Sequence, residues 1–126
     1  MSDNKHIMPK PTIVVDLAKN RIRIHKKTIH NLGNPASILL LVNPADHTFG
    51  VIGCSDNEYG SHRIKFNIIK YNCYELYSRS LIHSLQSVCP QWKNGEKYRI
   101  VGELFPAQKA ACFNMKTAQP ISNAES

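Results

Sequence analysis

The chain has 126 residues, 42% of them hydrophobic, enough for one compact domain with a modest core or two very small units sharing one. Sixteen Lys and Arg against nine Asp and Glu give a formal charge of +7 and a pI near 9.4, a balance that favours polyanions, acidic proteins or anionic surfaces as partners. No run of about 18 apolar residues occurs and no signal-peptide pattern is seen at the start, so a soluble, cytoplasmic protein without a membrane partner is expected.

Residues 1–11 are polar with two prolines and are expected as a disordered arm; residues 117–126 are expected as a flexible tail, leaving 12–116 as one domain. TIVVDL at 12–17 and RIRIH at 21–25 are predicted to form a hairpin about a turn at 18–20, with Ile22 and Ile24 alternating with Arg21, Arg23 and His25. Thr28 is placed to cap a short helix starting near Ile29, which Gly33, Asn34 and Pro35 stop. ASILLLVNP at 36–44 is a nearly continuous apolar run that reads as a strand buried on both faces. A turn at 43–46 leads to a second strand over 47–54, and SDNEYGS at 55–61 is a loop.

HRIKFNIIKY at 62–71 resumes alternation, with Ile64, Phe66 and Ile68 opposite Arg63, Lys65 and Asn67. Residues 74–89 begin extended and turn helical, since Leu81, Ile82, Leu85 and Val88 recur at helical spacing after a cap at Ser78 or Ser80; Pro90 ends that helix. A strand over 97–106 and its hairpin partner over 109–115 complete an α+β, mainly β chain. Cys54, Cys73, Cys89 and Cys112 are irregularly spaced and read as reduced, mostly buried thiols.

The halves echo one another. Ile29-His-Asn-Leu answers Ile82-His-Ser-Leu, and Val42-Asn-Pro-Ala-Asp answers Leu104-Phe-Pro-Ala-Gln. The offset grows from 53 residues (29 against 82) to 62 (42 against 104), which places an insertion at 89–94 with its Trp92. Two repeats, about 12–54 and about 64–115, would each be a β-hairpin with a short helix, and would pack as a pseudo-dimer because neither buries its apolar face alone.

Arg21, Ile24, Leu32 and Gly33, with Asp16 upstream and the apolar run 38–42 downstream, resemble the signature of the AbrB/SpoVT-type swapped-hairpin DNA-binding domain. Asn20 stands where that family usually has glycine, His25 where it has proline and Ile29 where it has arginine. The resemblance implies a small swapped-hairpin-like β-barrel of two units. It would be either a monomeric pseudo-dimer of the tandem MraZ kind or a homodimer. In that family the first hairpin and the region after its arginine touch DNA, which implies a transcription regulator without a cofactor.

Between 19 and 27 lie Lys19, Arg21, Arg23, Lys26 and Lys27 with no acid among them. Alternate strand positions such as Arg21 and Arg23 stand about 7 Å apart on one face, suited to phosphate contact and to guanine through arginine's planar fork. Arg63, Lys65 and Arg79 would extend the surface. Duplex DNA is the expected partner; a protein partner, as for an antitoxin-like or phage-encoded module, is the alternative.

Tyr71, Tyr74 and Tyr77 are spaced by three, as on a helix, and read as core or rim; Trp92 reads as a lid over the barrel end. His25, His30, His62 and His83 form no paired metal-ligand spacing with the cysteines, so no metal is expected. No glycine-flanked nucleophile elbow, carboxylate pair or GK[ST] loop occurs, so no enzyme is expected.

Overall fold

The computed structural model describes residues 10–55, 58–64 and 72–121. The elements in chain order are β1 (Thr12–Asp16), β2 (Arg21–His25), α1 (Lys26–Asn31), β3 (Ser37–Asn43), β4 (Thr48–Cys54), β5 (His62–Arg63), β6 (Cys73–Tyr77), α2 (Arg79–Val88), β7 (Lys97–Phe105), β8 (Ala110–Asn114) and β9 (Gln119–Ile121). The protein is mainly β, an α+β chain whose antiparallel sheet curls into a half-barrel ordered β5-β3-β4-β8-β7-β1-β2-β6, with β9 also on β7. The Tyr74 hydroxyl donates to the Arg63 carbonyl (3.1 Å), tying β6 to β5 at the two ends of that order.

Period-2 alternation decides which side chains enter the core. Ile13 and Val15 of β1, Ile24 of β2, Phe49 and Val51 of β4, Ile100 of β7 and Phe113 of β8 are all fully buried on the inner face. Ile29 and Leu32 close the core beside α1, and Ile82 and Leu85 do so from α2. These are the four apolar positions of the sequence echo, so the two helices present the same residues to one shared core. Trp92 is buried and stacks on Tyr98 at a centroid separation of 4.9 Å, as a lid should.

Strands of the N-terminal half pair with strands of the C-terminal half in matching sets. β2 pairs with β6 and β4 with β8, each antiparallel, while β1 lies on β7 and β5 on β3. The β4–β8 register is centred on Gly50 opposite Cys112, with Phe49 facing Phe113. The turns at 44–47 and 106–109 also match. In each, the fourth residue donates its N–H to the proline carbonyl, His47 at 3.4 Å and Lys109 at 3.0 Å, and adopts left-handed φ of +56° and +52°. Gly102 is required where β7 passes from β1 to β8: a Cβ there would stand 2.4 Å from the Cys112 carbonyl and 2.5 Å from the Phe113 ring.

Several expectations are corrected. α1 starts at Lys26, capped by His25, whose Nδ1 accepts the Lys27 N–H at 3.0 Å; Thr28 lies buried inside the helix. The insertion is shared between a longer α2 and the connection at 89–96. Tyr74 and Tyr77 sit on a strand and face opposite ways, Tyr74 buried and Tyr77 exposed; Tyr71 lies outside the described residues. Of the four free thiols only Cys89 is buried. The tail expected from 117 instead continues as β9, where Ile121 buries itself against the edge of β7. Likewise Pro11, expected in the arm, is buried and accepts the Gly102 N–H at 2.8 Å. Leu41 of β3 is 51% exposed, so that strand is not buried on both faces.

Candidate nucleic-acid interface

The outer face of β1, β2, β6 and β7 carries the chemistry. Its first residue is Asp16, fully buried at the end of β1. One oxygen, Oδ1, accepts the N–H groups of Ala18 (3.0 Å) and Lys19 (3.1 Å), folding the turn that Asn20 completes at φ +52°. The other, Oδ2, accepts from Arg21 Nε at 3.0 Å.

Arg21 reaches onward, its Nη1 donating to Glu75 Oε2 at 3.0 Å and to the Tyr77 hydroxyl at 3.4 Å. Arg23 Nε lies 3.3 Å from the same Glu75 oxygen. The β2–β6 register sets Arg23 directly opposite Glu75 and Arg21 opposite Tyr77, which brings the network together. Burial alone would pull the Arg21 guanidinium down, but hydrogen bonds to Tyr77 and Asp16 and the charges of Glu75 and Asp16 outweigh it and hold the pKa up. Arg21 and Arg23 are therefore internal struts, paired with carboxylates, and not the open phosphate contacts expected of them.

Around this neutral centre runs a groove of about 590 Å³ whose lining adds Lys19, Lys97 and Arg99. Two carboxylates thus face five cations. Arg99 makes no ion pair among the described residues.

At one end of the ribbon the Ser78 N–H donates to the Asn20 carbonyl (3.0 Å), which sets exposed Arg79 at the start of α2 beside exposed Lys19. At the other end Lys26 and Lys27 stand exposed on the first turn of α1, with Lys10 and His25 bordering the same hollow as Lys27. Arg63 is exposed on β5, across the seam from β6, and does not line the groove; Lys65 lies outside the described residues.

Sequence reasoning missed Lys97 and Arg99, although Lys97-Tyr98-Arg99-Ile100 repeats the alternation that singled out RIRIH. It also missed Glu75, whose role depends on a strand pairing across 52 residues (23 against 75).

Burial raises the Cys73 thiol in this groove, with Arg23 pulling it down and Glu75 adding to the rise, so the thiol stays neutral. Among the described residues no three His, Cys, Asp or Glu side chains group as a metal site, and no helix is long and apolar enough to cross a membrane.

Comparison with protein-family models, with curated proteins and with solved structures gave no match. The chemistry of the face therefore carries the functional argument.

Proposed function

We propose that this protein binds duplex DNA through the outer face of the β2–β6 ribbon and regulates transcription, in the manner its AbrB-like motif implies. The observation that carries the reading is the disposition of charge. The acids of the face are engaged by Arg21 and Arg23, while Lys19 and Arg79 at one end and Lys26 and Lys27 at the other are exposed to solvent. A five-residue strand spans about 17 Å, so the two clusters reach several phosphates of one DNA strand, which follow at about 3.4 Å of helix axis. Arg21 and Arg23 act here as positioning residues that tie β2 to β6 and to the turn after β1, between the clusters.

Fluorescence anisotropy of a labelled duplex across a salt series tests this. Affinity should fall steeply with salt, at a log–log slope near −0.9 per phosphate contacted, and replacing Lys19, Lys26 or Lys27 by Gln should each reduce that slope by about 1. No binding at about 50 mM salt, or a slope indifferent to all three substitutions, refutes the reading.

A protein-binding module is the second reading. It is favoured by an adjoining hollow of about 600 Å³ where exposed Val101 and Phe105 lie beside Arg99 and Glu103. A stoichiometric partner retained through nuclease and high salt would select it.

A further inference from the structure

β3 offers an open edge. The Ile64 N–H donates to the Ala36 carbonyl at 2.9 Å, and β5 pairs with β3 only at Ser37 and Ile38. Antiparallel geometry alternates the direction of backbone groups. Ala36 and Ile38 therefore point their N–H and C=O at β5, and Leu40 and Val42 point theirs the same way, past the end of β5. Leu39, Leu41 and Asn43 point theirs at β4, which pairs along the whole of β3. Among the described residues nothing pairs with the edge from Leu39 to Asn43.

Sheet edges are ordinarily guarded by lysine, by proline within the strand or by a bulge. This one runs Ser-Ile-Leu-Leu-Leu-Val-Asn with no charge, and its proline, Pro44, comes only after the strand ends. In a chain of charge +7 it is a surface where two copies can approach without repulsion.

We infer that a second copy of this chain docks here, β3 against β3, antiparallel about a dyad at Leu41. The backbone selects that register. With Leu41 opposite Leu41, Leu40 faces Val42 of the other copy and Val42 faces Leu40, so all four open groups on each edge find partners in four hydrogen bonds. A dyad at Leu40 would place Val42 against Ile38, already bonded to β5, and a dyad at Val42 would place Leu40 against Pro44, which has no N–H and whose carbonyl already accepts from His47. Both halve the bonding. At the chosen register the two Leu41 side chains, 51% exposed in one copy, meet as a close non-hydrogen-bonded pair. The outer-face row formed by Leu41, Gly50 and Cys112 then continues across both copies, with Leu39 opposite Asn43 of the other copy.

Sedimentation velocity from about 5 to about 500 µM reads the association, which an interface of this modest size makes weak and concentration-dependent. The mass should rise from 14.3 kDa toward its double. Leu41→Lys, a change at a half-exposed site that sets like charges across the dyad, should hold the protein monomeric with an unchanged circular dichroism spectrum. Leu41→Cys should form an oxidised dimer that Leu39→Cys does not. Amide exchange gives a readout independent of any variant: Leu40 and Val42 should gain protection with concentration while the other β3 amides do not. A monomer throughout the range overturns the proposal and leaves the edge to a strand from another protein, and a dimer insensitive to Leu41→Lys overturns it by placing the contact elsewhere.

Discussion

Removing Asp16 is the sharpest test of the network beneath the ribbon. In Asp16→Ala two turn N–H groups and the Arg21 Nε lose their acceptor at once, from a side chain that is wholly buried beside a guanidinium only 11% exposed. Breaking a buried pair by deleting one partner costs about 3–5 kcal/mol. Glu75 still neutralises part of the stranded charge, and the orphaned N–H groups add back about 1 kcal/mol or more, so about 4 kcal/mol is expected. For a domain of this size that lowers Tm by about 15 °C, read by calorimetry or by circular dichroism. The double variant Asp16→Ala with Arg21→Leu removes the stranded cation and should cost less than the two single losses added together, by about 1 kcal/mol or more. A Tm loss under about 4 °C for Asp16→Ala, or strict additivity in the cycle, would refute the view of Arg21 as an internal strut.

Two further outcomes follow from the packing and from the groups whose titration burial raises. Gly102→Ala should cost about 3 kcal/mol in urea unfolding because its Cβ meets backbone and ring. Gly50→Ala, whose nearest neighbours stand 3.9 Å away, should be close to neutral. Burial raises the Cys73 and Cys89 thiols above the ordinary 9.0 and the Tyr74 phenol above 10.0. A raised folded-state pKa gives stability that is complete below the unfolded value and is lost as pH climbs through the folded one. Tm should therefore hold level from pH 7 to about 8.5 and fall increasingly above pH 9, and Cys89→Ala should lessen the slope of that fall; a Tm that rises with pH above 9 contradicts it.

The helices and hairpins were legible because their signals are local. Ile29 and Leu32, like Ile82 and Leu85, mark a helix face by spacing alone, and Asn20 takes the left-handed turn that its side chain tolerates. The partners of Arg21 and Arg23 divide on the same ground. Asp16 stands only five residues from Arg21, within reach of local reasoning, whereas Glu75 reaches them only through the β2–β6 pairing, which nothing in the intervening chain announces. An alternating strand shows which residues share a face but not what stands opposite, so from sequence a basic face reads as an open one. The same blindness explains β3: a continuous apolar run predicts a strand, but its length against β5 is a matter of topology, and only that exposes the edge.

Because the first strand of each half lies on the third strand of the other, β1 on β7 and β5 on β3, the ladder of neither half is complete within itself. A cut in the 55–61 connection would thus free no autonomous module. The two pieces would remain clasped to one another while folded, and once parted each would regain its shape only by finding the other in solution.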